Sequence, residues 1–193
     1  MARTRKGGGI AARYWLMAIG ITLAAAVALV WMGRPPICTC GTIKLWAGVV
    51  HSADNSQHLA DWYTPSHIVH GFLFYGLFWL LWRNGPRGPR FVAAVMLEAA
   101  WEVAENTRWV IDRYRDATMA LGYTGDSVIN SIADIGWMVL GYLIAARLPW
   151  RLTAAIGVGL ELLTLYVIRD NLTLNVVMLV WPIDAIRIWQ GGA

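Results

Sequence analysis

Five stretches of this 193-residue chain are apolar enough and long enough to cross hydrocarbon, and that leaves few folds open to it. A spanning helix needs roughly 20 residues. The stretches run over 14–32, 63–82, 91–110, 126–146 and 152–168. Hydrophobic residues make up 58% of the chain and charged ones only 15%, against about 25% charged in an ordinary soluble domain. The pattern predicts an all-α fold: one polytopic membrane domain over 1–193, a bundle of five transmembrane helices. Segment 172–190 starts strongly apolar but then carries Trp181-Pro182, Asp184 and Arg187. It reads as an interfacial helix, with a sixth span as the alternative.

Basic residues fix an expected orientation. Arg3, Arg5, Lys6 and Arg13 precede the first stretch, Arg83, Arg87 and Arg90 follow the second, and Arg147 and Arg151 follow the fourth. These are alternate loops, the positive-inside pattern. The net charge of +4 therefore reports topology and not nucleic-acid binding. Residues 1–13 become a cytoplasmic tail and 33–61 an extracytoplasmic loop. The protein is expected in a bacterial inner membrane, multi-pass, with its N-terminus in the cytoplasm. The first stretch exceeds the 7–15 residues of a signal-peptide core and has no small-x-small site after it, so it reads as an uncleaved helix.

Three carboxylates interrupt the third stretch. Glu98, Glu102 and Glu105 stand at i, i+4, i+7 and share one helix face. Each costs about 2.5–3.5 kcal/mol near a bilayer centre on insertion scales, so the stripe needs partners. His67 and His70 open the second helix, and Asp126, Asn130 and Asp134 stand at i, i+4, i+8 on the fourth. With the orientation above, these sets meet at the extracytoplasmic end, with Glu98 and Asp134 deepest. Blander roles exist for each member. Asp126 suits an N-cap, Glu105 could pair with Arg108, Asn130 suits interhelical glue, and His51 and His58 are expected to be solvated in the loop.

Imidazole and carboxylate together suit zinc, manganese or iron. The expected metal set is His67, His70, Glu102 and Asp126, and the expected catalytic set is Glu102, Glu105, His67, Asp126 and Asp134. Membrane lipid is the expected partner, with Arg108, Arg113 and Arg115 placed for an anionic headgroup. A proton-coupled transporter and a non-catalytic envelope scaffold are the competing classes. No nucleophile elbow, P-loop, HExxH or dinucleotide fingerprint occurs. Cys38 and Cys40 are two thiols, with disulfide, redox and metal roles all open.

Several stretches carry a resemblance. They are Cys-Gly-Thr-Ile-Lys-Leu-Trp from Cys40, Asn-Ser-Gln-His-Leu-Ala-Asp-Trp-Tyr-Thr-Pro-Ser-His-Ile-Val-His-Gly from Asn55, Trp-Glu-Val-Ala-Glu-Asn-Thr from Trp101, Gly-Tyr-Thr-Gly-Asp-Ser from Gly122, and Arg-Asp-Asn-Leu-Thr-Leu-Asn from Arg169. Over most of 38–190 the chain closely resembles an uncharacterised family of alphaproteobacterial inner-membrane proteins. That implies a multi-pass membrane protein and brings no activity. A weaker likeness, to YjdF-like and VanZ-like membrane proteins, rests on His67 with Gly71, Glu102 with Glu105, and Gly125-Asp126 with Asp134. Tyr63 stands where those proteins often have an aspartate.

Overall fold

The protein was described from a computed structural model covering residues 9–50, 52–118 and 123–191. Arg3, Arg5, Lys6, most of the expected tail, His51 and residues 119–122 lie outside the described residues. Eight helices and no strand are present among the described residues. They are α1 (Ala12–Trp31), α2 (Thr64–Leu81), α3 (Arg87–Glu105), α4 (Arg108–Ala117), α5 (Val128–Ala145), α6 (Trp150–Ile168), α7 (Leu172–Val180) and α8 (Asp184–Gly191).

Three helices, α1, α5 and α6, are long and apolar enough to cross a membrane. Helices α2 and α3 match them in length at 18 and 19 residues but carry the histidines and glutamates. The C-terminal segment is two short helices of 9 and 8 residues, broken at Trp181-Pro182. At 1.5 Å per residue neither reaches across a core of about 30 Å, so no sixth helix spans alone.

Two boundaries differ from the sequence expectation. The third stretch does not run to 110. It ends at Glu105, and Thr107 starts α4, its hydroxyl accepting from the Val110 N–H. The segment between the third and fourth stretches therefore begins as a helix. At α5 the cap is Ser127, which accepts from the Asn130 N–H, and not Asp126.

Helices α2 and α5 form the central pair, and glycine sets their distance. A Cβ on Gly141 would sit 2.2 Å from the Ile68 carbonyl oxygen, and one on Gly71 2.2 Å from that of Met138. Small residues at a crossing allow this backbone approach. Around it Ala18, Phe91, Ala94, Val95, Met138 and Tyr142 close a dry core between α1, α3 and α5. Helices α1 and α6 turn Leu16, Leu23, Val27, Val158 and Leu162 outward.

The long loop is folded onto the start of α5. The free N–H groups of Val128 and Ile129 donate to the Pro35 and Pro36 carbonyls, and Ser127 N–H to that of Ser56. These are unsatisfied donors of a helix N-terminus finding acceptors. Asn130 Nδ2 donates to the His58 carbonyl and Trp137 Nε1 to that of Leu59. His58 is thus not solvated; it is 1% exposed, with Nδ1 accepting from the Lys44 N–H. Cys38 and Cys40 are joined in a disulfide. Asp54 nearby is held below the usual carboxylate range by its hydrogen bond from Lys44.

Two carboxylates organise the C-terminal segment. Glu161 accepts from the Leu172 and Thr173 N–H groups and so caps α7. Asp170 accepts from Tyr63, Asn171, Asn175 and Gln190, yet burial pushes its pKa up to about 6. A raised folded pKa favours the protonated carboxyl. The contribution is full below pH about 4, where the unfolded group is also protonated, and is lost as pH rises through 6. Its ceiling is about 3 kcal/mol, at about 1.4 kcal/mol per pKa unit. Unfolding midpoints in detergent between pH 4 and 8 should fall more for wild type than for Asp170→Asn. Equal slopes would remove Asp170 from the pH dependence.

Candidate metal centre

Each helix presents its polar residues for a local reason. Pro65 sits in the first turn of α2, where its missing N–H costs nothing, and lets the helix start just before His67 and His70. Asp61 secures that start, accepting from the N–H groups of Tyr63 and Ser56. The α3 stripe is apolar at Phe91 and Val95 and acidic at Glu98 and Glu102, all fully buried. The glycine crossing brings α5, and with it Asp134, against α2.

Glu98 is the hub. His67 Nδ1 and Glu98 Oε1 hydrogen-bond at 2.7 Å, and His70 Nδ1 meets Glu98 Oε2 at 3.0 Å. His67 also lies between two further acids: Nδ1 is 3.5 Å from Glu102 Oε1 and Nε2 is 3.7 Å from Asp134 Oδ2. Glu102 is 0% exposed, and neither of its oxygens has a hydrogen-bond partner. A buried carboxylate without partners is among the costliest arrangements a fold can carry.

Asp126 is fixed differently. Its oxygens accept from Asn106 Nδ2 at 2.7 Å and Tyr123 Oη at 2.8 Å, and its N–H donates to Asn106 Oδ1 at 2.8 Å. In this cluster potential ligand atoms fall into three overlapping groups, each within 4.8 Å: His67, His70, Glu98; His67, Glu102, Asp134; and Glu102, Glu105, Asp126; a separate group in the loop joins Asp54 and His58 to the disulfide-bonded Cys38 and Cys40. The donor set fits a borderline or hard divalent ion. Beside it lies a cavity of about 230 Å³. Its lining combines polar residues, His67, His70, Glu105, Asp126 and Asp134 among them, with apolar ones such as Phe74, Leu97, Trp101, Leu172, Val176 and Leu179.

Some expected roles fall elsewhere. Arg108 is exposed and makes no ion pair with Glu105 among the described residues, because the helix breaks between them. Arg113 Nε donates to the Leu179 carbonyl on α7 and Arg115 Nε to that of Tyr123, so both tie α4 to backbone at residues that line the cavity. Asn130 holds the loop and not a second helix. Sequence spacing missed the part played by Glu98, although it lies on the glutamate stripe. Asn106 and Tyr123 were invisible because they act from a helix break and a loop.

The comparisons agree with one another. Residues 29–192 match the family described as "Protein of unknown function (DUF2585)". A UPF0314 protein of Agrobacterium fabrum is 58% identical over 180 residues, covering 93% of this chain and 91% of the relative. One from Novosphingobium aromaticivorans is 54% identical, covering 92% of each chain. One from Sphingopyxis alaskensis is 52% identical, covering 96% of this chain and 98% of the relative. No solved structure matches. With a family profile spanning most of its length and relatives above half identity across alphaproteobacteria, the chain belongs to the DUF2585 family of uncharacterised proteins.

Proposed function

We propose that this is a five-span inner-membrane protein whose buried His/Glu/Asp cluster holds a divalent metal and receives an envelope lipid. Glu102 carries the reading. Its carboxyl is fully buried and both oxygens lack hydrogen-bond partners, with only the His67 ring 3.5 Å away, a state that a bound cation relieves. In this arrangement His67 Nε2, Glu102 and Asp134 are the ligands. Glu98 is the outer carboxylate that orients His67 through Nδ1, a pairing common around metal-bound histidine.

The cavity explains the ligand class. A lining that combines polar and apolar side chains suits an amphiphile, with the headgroup at the His/carboxylate cluster and the chain toward Leu172, Val176 and Leu179 of α7. A divalent ion held there would supply Lewis acidity toward a headgroup ester, and Glu105, which lines the cavity, is placed to take a proton from an attacking water and return it to the leaving oxygen. Arg113 and Arg115 stand beside the cavity for an anionic headgroup. The proton-coupled transporter reading is weaker, since Phe91, Val95, Met138 and Tyr142 close the bundle beneath Glu98.

Membrane placement rests on outward apolar faces of α1 and α6 and on charge. Arg87 and Arg90 of α3 and Arg147 after α5 line one cavity together with Ile10 before α1, so basic residues from two separate segments share the end of the bundle where α1 begins. That end is the cytoplasmic one by the positive-inside rule. The two short terminal helices then lie at the opposite interface.

Native mass spectrometry of protein released from membranes tests the reading. One lipid class should be retained, enriched about tenfold over the bulk extract, and lost on chelation or in His67→Gln. A lipid profile equal to the bulk and indifferent to both treatments would leave the scaffold role.

A further inference from the structure

At the opposite end of the bundle from the histidines lies another cavity, of about 410 Å³ and partly open. It is bounded by the first turns of α1 and α3 and the end of α5. Arg87, Arg90 and Arg147 line it with Trp15, Tyr75 and Tyr142, and no acidic side chain does. None of the three arginines makes an ion pair among the described residues.

Arg90 is the decisive member. It is only 9% exposed, and its Nε and Nη1 are buried without any hydrogen-bond partner. A guanidinium has five N–H donors and no acceptor, and it keeps its charge in a protein interior. Elsewhere in the chain arginines find partners: Arg113 and Arg115 reach backbone carbonyls, and Arg83 stacks on Trp79 at 4.6 Å. Arg90 has none of these. A buried, unpaired cation facing a cavity that holds two more cations lacks negative charge and acceptor oxygens. Tyr75 and Tyr142, whose rings meet edge-on at 5.2 Å, add hydroxyls to the same wall.

We propose that this cavity binds a phosphate group through Arg90, with Arg87 and Arg147 completing the charge. Phosphate matches the forked guanidinium with two parallel hydrogen bonds. Two sources offer that chemistry, an anionic lipid headgroup and free phosphate. Basic pockets between spanning helices on the cytoplasmic side are suited to the first. The site shares no residue with the His/carboxylate cluster, and its test is independent of the metal.

The test reads the unfolding midpoint of delipidated protein in two arms. One adds sodium phosphate against sodium chloride at equal ionic strength. The other compares nanodiscs of phosphatidylcholine with nanodiscs that also contain phosphatidylglycerol. Wild type should be stabilised in one arm, and which arm responds identifies the source. Arg90→Gln and Arg147→Gln should each need about tenfold more anion for the same shift, the order expected for one lost charge-assisted contact. Arg83→Gln, away from the cavity, should respond as wild type. Arg147 is exposed, so Arg147→Gln decides if Arg90→Gln fails to fold. No shift in either arm, or a shift unchanged by Arg147→Gln, would overturn the proposal.

Discussion

Replacing Gly141 by leucine should unfold the protein at far lower temperature than wild type. The added Cβ alone would meet the Ile68 carbonyl oxygen at 2.2 Å, and backbone on a packed helix cannot yield as a side-chain tip can. Helices α2 and α5 must separate. Overpacking usually costs about 1–3 kcal/mol and sometimes more, and a backbone clash belongs at or above the top of that range. At about 2–4 °C per kcal/mol, the midpoint falls by roughly 6–12 °C or the fold is lost. Gly136 is the control. It lies on the same helix with nothing within 4 Å of its built Cβ, so Gly136→Leu should leave the midpoint within a few degrees. Equal effects from the two would mean that the α2–α5 contact is not set by glycine. The same contact carries His67 to Asp134, so Gly141→Leu should also abolish metal binding while Gly136→Leu retains it.

Glu102→Gln should separate function from stability with opposite signs. Without metal, the variant should be as stable as wild type or more so, because a buried amide costs less than a buried, unpartnered carboxylate. With metal at about a hundredfold excess over its dissociation constant, wild type should gain about 2.7 kcal/mol. The variant should gain almost none. Thermal unfolding in detergent with a chelator, then with zinc, measures both halves. A variant that is destabilised without metal and still gains the full increment with it would make Glu102 a structural residue.

The sequence carried the helices better than the contacts between them. The first apolar stretch, 14–32, corresponds to α1 (Ala12–Trp31), and the last, 152–168, to α6 (Trp150–Ile168). Continuous apolar runs bounded by proline and arginine leave little freedom there. The third was extended to 110 because Trp109 and Val110 continue the apolar run, while the break is set by Thr107 capping α4. A helical period showed that Glu98, Glu102 and Glu105 share a stripe. It could not show which of them meets a histidine, since that depends on the rotation of α3 against α2. The family resemblance was legible from short stretches such as Trp-Glu-Val-Ala-Glu-Asn-Thr, and the family match agrees with it. The burial of His58 was not legible, because its cover comes from α5, some 70 residues away along the chain.

X-ray absorption at the zinc edge tests the metal centre most directly. The sample is zinc-loaded protein with Cys38→Ser and Cys40→Ser, so that no thiolate released by reduction of the disulfide competes. The expected spectrum shows nitrogen and oxygen neighbours at about 2.0–2.1 Å, with the outer scattering of imidazole. The same measurement on Glu102→Gln should show hydrated, unbound zinc. Failure to retain zinc in the first sample, or an unchanged shell in the second, would contradict a metal held by His67, Glu102 and Asp134.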